Sequence, residues 1–217
     1  MAPYRQLSDL PQLIPVFPLD GALLLPGGEL PLQIFEPRYL NMVDDAMAGD
    51  RVIGMIQTRG GSRARPKLSD VGCLGRITSY AETSDGRYLI TLTGICRFDA
   101  GEELDLRLPY RQLRARYERF REDLDDEDAK ASEAARTRFA TALKRYLNRR
   151  ELDIDWDTAS EAPLEALVNS LCMGLPFEPA EKQAFLEAPN LAGRFEVLTT
   201  LLEIDASDPD DEPHPLQ

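Results

Sequence analysis

The spacing of apolar positions changes along the chain near residue 120. Before that point the dominant repeat is two, and after it the repeat is close to three and a half. In the first part the alternation predicts strands over 12–18, 29–35, 51–57, 73–83, 87–98 and 110–120. The stretch LPLQIFEPRY, residues 30–39, shows the pattern most plainly. Leu30, Leu32 and Ile34 alternate with Pro31, Gln33 and Phe35, and Pro37 then suits the first position of a helix, where its missing N–H costs nothing. That helix would continue with Tyr39, Met42, Val43 and Ala46 on one face. Asp85-Gly86, between the fourth and fifth strands, marks a hairpin turn. Several strands, one early helix and tight turns imply a small barrel or folded-over sheet.

Past residue 120 the chain first becomes densely acidic (REDLDDEDAKA, 121–131), which reads as an extended linker over 121–128. Helical stripes follow: Ala135, Phe139, Ala142, Leu143, Tyr146 and Leu147; then Leu164, Leu167, Val168, Leu171, Cys172 and Leu175, with Ser160 as the expected cap. Two further helices are expected over 179–188 and 190–203, and short connections favour an antiparallel bundle. The expected organisation is therefore α+β: a barrel over 1–120, the linker, a helical bundle over 129–204 and a disordered acidic tail over 205–217. Composition and period both change at Arg121, so barrel and bundle are expected to pack separately.

Charge sharpens this division. The net charge is −13, yet residues 1–120 hold 15 basic and 15 acidic side chains, so the whole excess belongs to the second half. Such a balance disfavours nucleic acid as a partner of the whole chain, because phosphate neutralisation needs a clustered basic surface. No apolar run approaches the roughly 20 residues that span a bilayer, and the opening residues lack a secretory pattern. Three scattered cysteines imply no disulfide framework. A cytoplasmic setting without membrane association is the expectation.

The search for chemistry is mostly negative. None of the four lysines follows a glycine, which excludes a phosphate-cradling Gly-Lys-Ser/Thr loop. The sole histidine, His214, lies between two prolines in the tail. No Gly-x-Ser-x-Gly elbow or Ser-x-x-Lys pair occurs. Cys73, Cys96 and Cys172 fall within apolar runs and read as buried structural residues. DIDWDT (153–158) opens like a calcium loop but has Thr158 and Leu164 where glycine and glutamate are needed. The basic stretch RGGSRARPKL (59–68) reads as a solvated loop. No catalytic residue, cofactor or metal site is expected.

Five segments in order nevertheless resemble a known family. These are IPVFPLDGALLLPGGELPLQIFEPRY (14–39), VGCLGRIT (71–78), GRYLITLTGICRFDA (86–100), and LPFEPAEKQAFLEA with NLAGRFEVLTTLL (175–202). Together they resemble the N-terminal, substrate-binding domain of Lon proteases in a free-standing form. The resemblance implies a PUA-like β-barrel joined to helices, and a non-enzymatic module that works without ATP. It implies as ligand an unfolded polypeptide or partner protein. Phe35, Glu36, Arg38, Tyr39 and Met42 are the candidate binding residues, at the strand-to-helix junction. Glu36 and Arg38 could instead simply pair with each other or a neighbour. The alternatives are an RNA-binding PUA-like module and an unrecognised hydrolase.

Overall fold

A computed structural model describes residues 4–62, 65–125 and 131–207. Six strands carry the first half: β1 (Leu13–Pro18), β2 (Glu29–Ile34), β3 (Val52–Ser62), β4 (Arg65–Glu82), β5 (Tyr88–Leu104) and β6 (Arg111–Arg116). Helix α1 (Pro37–Ala48) lies between β2 and β3. Its start follows from Pro37 at the first turn, with Tyr39 and Leu40 both donating their N–H to the Glu36 carbonyl. Its inward stripe is Tyr39, Met42, Val43 and Ala46.

The strand order is β2-β5-β4-β3-β1-β6, and β6 also pairs with β5, so five strands close into a ring of pairings. Only β1–β3 is parallel. Strand β5 serves two partners in turn: its first half pairs with β2 and its second half with β6. The turn between β4 and β5 forms as the Asp85-Gly86 signal requires, with Gly86 at φ +76° and Thr83 N–H donating to the Arg87 carbonyl. The basic stretch is not a loop. Through residue 62 and again from residue 65, β3 and β4 extend as a bulged hairpin, with Gly61 opposite Pro66. Arg59 pairs with Asp70, and Arg63 lies outside the described residues.

Five helices follow: α2 (Glu133–Arg149), α3 (Trp156–Glu161), α4 (Leu164–Gly174), α5 (Pro179–Glu187) and α6 (Leu191–Ser207). Helix α6 packs against α2, α4 and α5. Ser160 is not a cap. It sits inside α3, which Asp155 caps by accepting from the N–H groups of Asp157 and Thr158, each at 3.1 Å. Helix α4 begins after Pro163. Helix α6 runs into the expected tail, where Asp205 pairs with Arg150; residues 208–217 lie outside the described set.

The expected separation of the halves does not hold, because one continuous cluster of buried side chains runs from Ile14 and Phe98 to Phe185 and Leu202. Polar groups also join them. Gln57, 2% exposed, donates to the Pro179 carbonyl at 3.1 Å and to Gln183 at 3.2 Å. Lys182 reaches the Gly21 carbonyl at 2.7 Å, and Asn169 reaches that of Pro26 at 2.8 Å.

The expected linker takes part in this junction. Residues Glu118–Leu124 form a 3-10 turn folded onto β5, while residues 126–130 lie outside the described set. From that turn Asp123 accepts the Arg97 backbone N–H at 2.9 Å, Nε at 2.8 Å and Nη2 at 2.7 Å. Arg97 Nη1 donates to the carbonyls of Leu186, at 3.0 Å, and Ala188. The guanidinium also lies 4.3 Å from the Phe120 ring centroid.

Removing one member of such a pair strands a buried charge. Asp123→Ala is expected to cost about 3–5 kcal/mol, read by urea denaturation. The double variant Asp123→Leu/Arg97→Met should recover part of that loss, since the charge goes with its partner while the residue-97 backbone N–H stays without its acceptor. A single-variant cost below about 1 kcal/mol, the range of exposed pairs, would contradict the role given to Arg97.

Candidate functional site

The candidate residues at the strand-to-helix junction fall into two groups. Phe35 is 61% exposed, the most exposed large apolar side chain among those described. Arg38 and Glu36 pair beside it at 2.8 Å, each about half exposed, and Arg38 also stacks 4.5 Å from the Tyr39 ring centroid. A pair this exposed contributes roughly 0–1 kcal/mol. Tyr39 and Met42 are not accessible. Met42 is fully buried, and Tyr39 packs on Phe17 with centroids 4.2 Å apart. The helical period points both inward, so they support the junction from beneath, and only Phe35, Glu36 and Arg38 can meet a ligand there.

A larger feature lies at the other end of β2, where a cleft of about 1040 Å³ opens between the sheet and α4. One wall is Pro26-Gly27-Gly28 with Glu29, Leu30 and Pro31 of β2; the facing wall carries Glu165, Asn169 and Met173 of α4. Gly94 of β5 forms part of the floor, where a Cβ would overlap the Leu25 carbonyl oxygen, so no other residue fits. Sequence reading found no sign of this cleft, because its walls come from segments more than a hundred residues apart.

The backbone along β2 has a definite polarity. Gly94 donates its N–H to the Gly28 carbonyl at 2.9 Å, so Gly28 faces β5. Every second residue onward, Leu30, Leu32 and Ile34, then also turns its backbone groups to β5, while Glu29, Pro31 and Gln33 turn theirs away. Pro31 sits where its missing N–H costs no ladder bond. Among the described residues no second strand pairs with β2. Its outer edge therefore presents the N–H groups of Glu29 and Gln33 and the carbonyls of Glu29, Pro31 and Gln33. The edge begins in the cleft and ends at Phe35.

The ionised groups around the cleft are mostly acidic. Glu29, Asp123, Asp125 and Glu165 line it, with Arg76 as the lone lining cation among the described residues. Asp123 is already committed to Arg97. Burial pushes the Glu165 carboxyl above its ordinary range, although Arg194 nearby pulls the other way. Arg194 itself is 1% exposed; it donates to Asn169 at 2.9 Å and has a buried Nη2 with no partner.

The three cysteines are buried, and burial raises each thiol, that of Cys172 to about 12. Among the described residues no group of three His, Cys, Asp or Glu side chains could hold a metal ion, and no helix is long and apolar enough to cross a membrane. Thiol titration with a disulfide reagent at neutral pH should find no fast-reacting cysteine in the native protein and three after denaturation. One thiol reacting rapidly in the folded chain would reopen a nucleophilic role.

Comparison with known proteins bears on the same region. The model of the ATP-dependent protease La (LON) substrate-binding domain matches residues 13–203. Lon protease 2 of Myxococcus xanthus is 26% identical over 206 residues, covering 90% of this chain and 24% of the relative. The Lon protease of Anaeromyxobacter dehalogenans is likewise 26% identical, covering 90% of this chain and 23% of the relative. The chain thus spans about a quarter of the length of these curated relatives. Two solved structures share the fold. The N-terminal domain of Mycobacterium avium complex Lon protease aligns with a TM-score of 0.62 at 18% identity, over 88% of this chain and 97% of that one. A Lon N-terminal domain protein from Xanthomonas campestris aligns with a TM-score of 0.63 at 20% identity, over 87% and 97%. With nine-tenths of its length matched by the family model, the chain belongs to the family of Lon substrate-binding domains.

Proposed function

We propose that this protein is a non-enzymatic recognition module for unfolded polypeptide or a partner protein, acting without ATP. The single observation that carries this reading is the unpartnered outer edge of β2, which starts in the cleft and ends beside exposed Phe35. Family membership supplies the substrate class, since the matching model describes a substrate-binding domain. The closed ring of strand pairings fits a PUA-like β-barrel, with the helices after residue 131 as an attached bundle. An extended chain can take the free backbone groups of such an edge while apolar side chains settle against its flanks. Phe35, with Leu89 at 45% exposure on the neighbouring strand, offers apolar contact. Glu36 and Arg38 border it and set the approach to Phe35. The acidic cleft disfavours a polyanion, which weakens the RNA-binding reading.

A permanently unfolded, apolar-rich polypeptide of near-zero net charge is expected to bind, as read by fluorescence anisotropy. Its affinity should change by less than about threefold between low and physiological salt, because apolar docking releases no counterions. Phe35→Asp should weaken it by roughly tenfold, the scale of one lost apolar anchor, while circular dichroism stays unchanged because Phe35 is exposed. No binding by the native protein would refute the reading. So would tight RNA binding that falls steeply with salt and is lost on neutralising Arg59 and Lys67.

A further inference from the structure

We propose that the cleft between β2 and α4 selects extended segments carrying lysine or arginine between apolar residues, held by strand addition to the outer edge of β2. This rests on the polypeptide-binding reading above and specifies which segments the protein prefers and where their backbone lies.

Geometry makes the first argument. The cleft is lined by Glu29, Leu30 and Pro31, the same residues whose strand has an open edge. A segment entering there can donate to the carbonyls of Glu29, Pro31 and Gln33 and accept from the N–H groups of Glu29 and Gln33. Pro31 lacks an N–H but keeps its carbonyl, so the edge has more acceptors than donors. An added strand therefore bonds with one face of its amides to β2 and leaves the other toward α4. Antiparallel or parallel, its alternate side chains point to opposite sides, as in any strand. One set meets the apolar flank, where Met173 provides an adaptable thioether.

Charge makes the second argument. Asp123 is neutralised by Arg97, while Glu29, Asp125 and Glu165 face the cleft with Arg76 as the only lining cation among the described residues. Glu29 and Asp125 are exposed at the rim, and Glu165 is partly buried deeper in. A lysine or arginine side chain entering the cleft would meet carboxylates rather than cations, whereas an acidic segment would be repelled.

The test uses short disordered peptides of alternating valine and lysine, their valine–glutamate counterparts, and a lysine peptide N-methylated on alternate amides. The native protein should bind the lysine peptide more tightly than the glutamate peptide, with a preference that shrinks as salt rises. Methylating the amides of one parity should abolish binding, and methylating the other parity should leave it, which only an edge-bound strand explains. Glu29→Lys/Asp125→Lys should reduce or invert the preference by roughly tenfold, given two rim charges under partial screening. Gln33→Pro removes an outward N–H without touching the ladder to β5, and should weaken both peptides. Equal binding of the two methylation patterns would overturn strand addition. A preference for glutamate, or one indifferent to the double charge reversal, would overturn the selectivity. If the near-neutral unfolded polypeptide still binds in either case, only this inference falls; if it does not bind the native protein, the broader reading falls with it.

Discussion

Burying a guanidinium to 1% exposure is costly unless its N–H groups find acceptors, and Arg97 finds them by drawing on distant parts of the chain. Asp123 comes from the turn after β6, and the carbonyls of Leu186 and Ala188 come from the end of α5. The net free energy of a buried ion pair is small, because desolvation offsets most of the attraction. Its larger consequence is geometric. Moving the 3-10 turn away from β5 leaves a buried charge unpaired, and moving α5 away leaves Arg97 Nη1 without its acceptors, so the sheet and helices are held in one relative position. Asp123 also fills a gap in the sheet: between the β5 residues paired with β2 and those paired with β6, the Arg97 N–H finds its acceptor in that carboxylate.

The cleft is a product of that fixed arrangement. Asp123 and Leu124 form part of its lining, while Asn169, tied to Pro26 and to Arg194, joins α4 to the loop before β2. Polar contacts and the packing of Met173 against Gly28 hold the two walls together. Space remains for a chain, and one wall ends in unpaired backbone. An exposed strand edge is usually blunted, and here Pro31 removes one outward donor while five outward groups remain. That balance is compatible with the proposed pairing with an extended chain.

Much of this was legible in the sequence, but unevenly. The alternation of Leu30, Leu32 and Ile34 and the position of Pro37 located β2 and α1, because local pattern and propensity agreed there. The Asp85-Gly86 turn was equally local. What failed depended on distant partners. Asp123 stood among acids of an apparent linker, and nothing nearby marks it as the counter-ion of Arg97. Arg97 falls in a strand whose register shifts between Leu74 and Gly75, with Ile95 as the extra residue opposite. Cys96, Arg97 and Phe98 are all buried, contrary to simple alternation, as are Gly72, Cys73 and Leu74 opposite them, and the 3-10 turn and the end of α5 cover Arg97. Tyr39 and Met42 were legible as one helical face, yet a face is equally a core stripe or a groove, and burial chose the core. The cleft could not be read at all. The segments that resemble Lon domains include Arg97, Lys182 and Gln183, which tie the first half of the chain to the helices, and Arg194, which joins α6 to α4 and α5.

Amide hydrogen exchange at single-residue resolution, with and without bound unfolded polypeptide, tests the open edge of β2 most directly. In the free protein the amides of Leu30, Leu32 and Ile34, which face β5, should already be protected, and those of Glu29 and Gln33 should exchange quickly. On binding, Glu29 and Gln33 should gain protection while the inward three change little. Unchanged exchange at Glu29 and Gln33 under saturating polypeptide, with protection appearing elsewhere on the surface, would contradict recognition at this edge.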